Sequence, residues 1–189
     1  MLEQARGTEV LLIDLTMTPL IISFIILSSY IAFYLCYVGL TTSHSNSHNL
    51  LKEKNKKLWF LFPVTLAVSS FLLMLTAFDF TPEPFKFTAF LTCAPVIFTA
   101  FAANYKDGGV TTQVHMTTAK LGGLFSFVWA VLMAYSYGWW LIAPVIILGI
   151  IFYLLNRKYH KPVLFLEYWA FSYPYVILFL VIKLKLITN

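Results

Sequence analysis

The chain of 189 residues is 60% hydrophobic and only 11% charged, with a net charge of +5. Soluble domains are about one quarter charged, so a water-soluble fold of this composition would expose a very large apolar surface. That class is excluded, as is nucleic-acid binding: the basic residues collect in short loops between apolar runs, which is how orientation in a membrane is encoded.

Residues 1–14 carry Glu3, Glu9 and Asp14 against Arg6, without the basic start or small-residue cleavage site of a signal peptide. The first apolar run is therefore expected to stay in the mature chain. A helix crossing about 30 Å of hydrocarbon needs about 20 apolar residues and must satisfy its own backbone groups. Six stretches qualify: 15–40, 58–78, 85–103, 112–137, 139–155 and 163–187. The expected fold is all-α, a polytopic transmembrane bundle of about six helices forming a single domain over residues 1–189.

Topology follows from the loops. Lys52, Lys54, Lys56, Lys57, Lys106, Lys120, Arg157, Lys158 and Lys161 fall on one side, and Arg6, Lys86, Lys183 and Lys185 on the other. The positive-inside rule makes the nine-residue side cytoplasmic and puts both termini on the non-cytoplasmic side. Trp59, Trp139 and Trp140 stand at span ends, where amphipathic rings favour the headgroup level. The expected location is a bacterial inner (cytoplasmic) or plasma membrane. The lysines at 52–57 read as contacts to anionic lipid headgroups.

Proline occurs in or at the start of five spans, at Pro19, Pro63, Pro95, Pro144, Pro162 and Pro174, and predicts kinks. The fourth span has none and carries Gly122-Gly123, which permits close approach by a neighbour. Ser136-Tyr137-Gly138 reads as a tight hairpin. Cys36 and Cys93 lie at different depths and are not expected to pair. Segment 41–57 reads as the one disordered loop.

The window 106–123 concentrates charge, glycine, hydroxyls and His115 directly before an apolar run. Gly108-Gly109 lacks the Lys-Ser/Thr of a phosphate loop and is read as a flexible turn. Glu167 lies about one turn inside the last span, among Leu164, Phe165, Leu166, Tyr168 and Trp169. A carboxylate in lipid is costly, so it is expected to face the bundle interior with a partner, drawn from Lys120, Arg157 or His115. The plain alternative is a structural ion pair near the interface. His115 titrates near neutral pH and suits an acid, base or relay; alternatively it bonds a neighbouring carbonyl or hydroxyl. Glu167, His115, Lys120 and Arg157 are the candidate ion or proton path, with His115 and Glu167 also the candidate catalytic pair.

His44 and His48 are spaced to share a helical face, yet Ser43-His44-Ser45-Asn46-Ser47-His48-Asn49 has loop composition and reads as solvated. They are weak metal candidates, since zinc needs three or four converging ligands; neither metal nor cofactor is expected. His115 and His160 invite comparison with the type-2 phosphatidate phosphatases, which are six-helix membrane enzymes. Gln113-Val114-His115 stands where that family has Ser-Gly-His, and Leu154 and Leu164 stand where it has Arg and Asp, so the chain is not placed there.

A channel or transporter moving ions or protons, with Glu167 near a cytoplasmic vestibule, fits these features best. An accessory subunit, or an enzyme acting on a lipid head group through His115 and Glu167, is the alternative. The partners expected are membrane lipids, with further copies of the chain or other membrane proteins.

Overall fold

The computed structural model describes residues 2–102 and 109–188, with side chains from residue 17 to residue 187. Lys106, Asp107 and Gly108, central to the charged window, lie outside the described residues. The helices are α1 (Leu2–Tyr37), α2 (His44–Lys54), α3 (Leu61–Phe80), α4 (Lys86–Phe101), α5 (Gly109–Tyr137), α6 (Ile142–Tyr159) and α7 (Pro162–Thr188). Short 3-10 turns lead into α3, α4 and α6, and no strand forms among the described residues. Six helices are long and apolar enough to cross a membrane, which is compatible with an integral membrane protein. Their bounds differ from the sequence reading by a few residues; α6 continues through Asn156, Arg157 and Lys158, and α5 starts at Gly109.

Successive long helices run up and down, and α7 sits centrally against α1, α3, α5 and α6. Ile177, Leu178, Val181 and Ile182 of α7 are fully buried, packed in one core with Leu20, Phe80, Trp129, Met133 and Leu141. Only Val145 of α6 is buried, which leaves α6 at the margin of the bundle. Outward faces such as Ile146, Ile147, Ile150 and Ile151 of that helix stay exposed and apolar, as lipid contact requires.

The 41–57 segment differs from the expected disordered loop: it contains α2, most of whose first two turns is buried. Ser43 caps the helix by accepting from Asn46 N–H at 3.1 Å, and Lys52 and Lys54 stand in the last turn, where the helix dipole favours cations. His44, His48 and Leu51 recur at helical spacing and form one buried stripe. The segment looked solvated because its buried residues are small and polar. Several of its hydroxyl and amide groups bond within the segment itself: Thr41 Oγ1 with Ser47 Oγ at 2.6 Å, Asn49 Nδ2 to the Ser45 carbonyl at 3.0 Å.

The hairpin after α5 turns at Gly138, with φ of +127°, where a Cβ would lie 2.6 Å from the Trp140 ring. Glycine is required there. Pro19, Pro95 and Pro174 are interior to α1, α4 and α7, whereas Pro162 opens α7 as its first residue. The two cysteines are unpaired, Cys36 exposed and Cys93 buried.

The adjacent glycines of α5 have different surroundings. A Cβ at Gly122 would meet Val96 Cγ2 at 3.3 Å and Pro95 Cβ at 3.6 Å, so α4 and α5 approach closely there. A Cβ at Gly123 would meet nothing within 4 Å. Gly123→Ala is therefore expected to stabilise the protein by about 1 kcal/mol through helix propensity. Gly122→Val is expected to cost about 1–3 kcal/mol through overpacking against Val96. Thermal unfolding of both variants in detergent measures the two; an equal response at both positions would contradict this packing.

Candidate functional site

Apolar helices leave few places where polar side chains gather, and α2 creates the main one. Its first residues enter the bundle between α3, α5 and α7, at the end where α1 finishes and α7 begins. Glu167 Oε2 accepts the backbone N–H of His44 at 2.7 Å. That N–H is one of the donors a helix start leaves without an intrahelical acceptor, and the positive end of the α2 dipole faces the carboxylate. No salt bridge reaches Glu167 among the described residues, where Lys86 with Glu83 is the ion pair formed.

One residue further on, Ser45 Oγ lies 2.8 Å from His115 Nε2, while His115 Nδ1 faces the Thr99 carbonyl at 3.2 Å. A carbonyl only accepts, so Nδ1 carries a proton. In the neutral ring Nε2 then accepts from the Ser45 hydroxyl. Glu167 and His115 thus reach consecutive residues of α2 without bonding each other.

Beneath them lies a cavity of about 110 Å³. At about 30 Å³ per water it holds about four. His44, Ser45, Glu167 and Thr99 line one end, and Ser70, Thr92, Ser126 and Tyr175 extend it into the middle of the spans. Leu66, Leu73, Val96 and Phe171 make much of the remaining wall. Beside it, Ser23 Oγ donates to the Ser69 carbonyl at 2.7 Å, so the Tyr175 hydroxyl, 2.6 Å from Ser23 Oγ, is the donor in that second bond.

His44 is 2% exposed and His48 1%. Tyr168 meets the His44 ring edge-on at 4.9 Å, Phe171 lies at 5.7 Å and Tyr30 stacks at 6.1 Å. Neither His44 ring nitrogen has a hydrogen-bond partner among the described residues. Burial pushes the imidazole down to about 4, so the ring is neutral at physiological pH.

Lys120 and Arg157 are exposed and do not line the cavity, so neither partners Glu167. His160 is exposed too, in the left-handed conformation that ends α6. His48 packs against Phe62 at 5.1 Å. Among the described residues no three His, Cys, Asp or Glu side chains gather as a metal site would need. Cys93 lines the cavity, and among the described residues no hydrogen bond ties it to a base. Ser45, Thr92, Thr99 and Ser126 were not singled out from the sequence. Polar residues recurring on inward helix faces, such as Ser69, Ser70, Thr92 and Ser126, were the available signal.

No family model matches the chain, and neither a curated protein nor a solved structure matches it.

Because His44 in the fold binds its proton more weakly than an unfolded histidine near 6.5, the unfolded chain holds more protons between those values. Stability is therefore expected to fall as pH drops through the window from about 6.5 to about 4, by up to about 3 kcal/mol. His44→Phe keeps an apolar ring and removes this term. Unfolding midpoints measured across that range should show a flatter profile for the variant; an unchanged slope would mean that His44 is not the group responsible.

Proposed function

We propose that the protein is a transporter that moves ions or protons through the cavity, with Glu167 as the charge-bearing group at its cytoplasmic end. The observation carrying this reading is a carboxylate in an apolar bundle that lines a cavity and is balanced by one backbone N–H instead of a cation. Intramembrane acids in such settings mark substrate and proton paths.

Transport fits better than an open channel. The cavity walls end near Leu73, Thr92, Ser126 and Tyr175. Beyond them the bundle is closed by buried Trp129, Met133, Phe80, Leu141 and Ile182. Trp129 Nε1 donates to Thr81 Oγ1 at 2.8 Å, and the Tyr137 hydroxyl donates to the Phe80 carbonyl at 2.7 Å. Passage through that half requires the helices to rearrange, as alternating access does. An enzyme acting on lipid head groups has less support, because Lys120 and Arg157, the charges that would clamp a phosphate, stay outside the cavity.

In this reading the α2 end of the bundle is cytoplasmic and both termini lie on the other side of a bacterial inner or plasma membrane. Lys56 is exposed at that end. In a Cys36→Ser background, Lys56→Cys is expected to resist an impermeant thiol reagent in intact cells and to react after permeabilisation. Labelling from outside would reverse the orientation.

Function is tested by ion and proton flux in proteoliposomes from about pH 5 to about pH 8. Wild type is expected to carry flux and Glu167→Gln to lose it, since Gln still accepts the His44 N–H but cannot ionise. Full flux in a folded Glu167→Gln protein would remove Glu167 from the path.

A further inference from the structure

Resting on the transport reading, and narrowing it, we propose that the cavity binds a small organic ammonium ion with an apolar tail. Glu167 takes the charged nitrogen, and Phe62, Leu66, Val96 and Phe171 surround the tail.

The charge balance of the walls selects the sign. Glu167 is the one formally charged side chain among the cavity-lining residues, and no Lys or Arg joins it. An anion would meet a carboxylate in an apolar enclosure without a compensating donor. A zwitterionic phospholipid headgroup fails for the same reason at its phosphate. A neutral alkyl chain would leave the carboxylate unsatisfied.

Coordination chemistry separates organic from inorganic cations. Hard metal ions take six or more oxygen ligands, or several with bound waters. Glu167 supplies one carboxylate here, and no metal-ligating cluster forms among the described residues. An ammonium group needs fewer and simpler partners, namely acceptors for its N–H bonds. Glu167 Oε2 is occupied by His44 N–H, and Oε1 makes no hydrogen bond among the described residues.

The His44 ring nitrogens are sealed from the cavity, so Glu167 is the charged acceptor that a ligand reaches. Phe62, Phe171 and Tyr175 add aromatic surface, which attracts organic cations.

Size sets the rest. A cavity of about 110 Å³ is smaller than the roughly 150 Å³ that takes benzene, so it accepts on the order of five non-hydrogen atoms. n-Butylammonium matches that size, and 1-butanol and butanoate are its neutral and anionic counterparts.

The test is equilibrium binding of these three compounds to purified full-length protein in detergent near neutral pH. n-Butylammonium is expected to bind, and the alcohol and the carboxylate to bind at least about tenfold more weakly. Glu167→Gln, which keeps the His44 N–H bond, should weaken ammonium binding by about thirtyfold or more and erase the preference over the alcohol. Gly123→Leu places a side chain into the open side of α5, and should abolish binding of the ammonium while the protein stays folded.

Equal binding of butanoate, undiminished ammonium binding by either folded variant, or no ammonium binding by folded wild type would each overturn the proposal. The transport reading fails separately. Ammonium binding without flux supports the site and removes transport, whereas proton flux without ammonium binding keeps transport and overturns the site.

Discussion

The hydrogen bond from His44 N–H to Glu167 holds the polar end of this molecule together. It joins residues 123 positions apart in sequence and solves two problems at once. A carboxylate inside an apolar bundle needs a donor, and the first turn of a helix has donors with no intrahelical acceptor. The bond docks α2 on α7, and the neighbouring Ser45–His115 bond docks it on α5. Without these two contacts, a short helix rich in serine and asparagine would have little reason to leave water.

Once α2 is seated, the packing of the bundle divides in two. Toward the Thr81 end, large side chains interlock, with Trp129, Met133, Leu141 and Ile182 nearly or fully buried. Toward α2 the inward residues are small and hydroxylated, and they leave space between them. Many of those hydroxyls bond carbonyls one turn back in their own helix, as Ser69 does to Thr65 and Thr92 to Thr88. That local pairing lets polar residues line a cavity within apolar helices at small cost. Gly122 and Gly123 mark the border, one pressed against Val96 and the other facing open space.

The electrostatic consequence is an enclosure with one acidic group and no basic one along its wall. In a low-dielectric interior an unbalanced charge acts strongly on whatever enters. Aromatic and aliphatic side chains make the rest of that wall, and the packing is closed at the far end.

Six long apolar helices, the Gly138 turn and the contact at Gly122 were legible in the sequence. Each depends on local properties: hydropathy over one span, the backbone freedom of glycine, or the absence of a side chain. The inward position of Glu167 was legible too, because an acid within a span has few tolerable places. Its partner was not. Lys120 and Arg157 matched by charge and depth, but they sit on exposed faces, and the bundle offers a backbone N–H instead. The burial of α2 was also hidden, because Ser, His and Asn residues have the composition of a loop wherever their hydrogen-bond partners are unknown. The partners of the His44 N–H and of Ser45 come from α7 and α5, brought together only when the helices pack. Length and hydropathy therefore determined the spans, and tertiary contact decided which polar residues face one another.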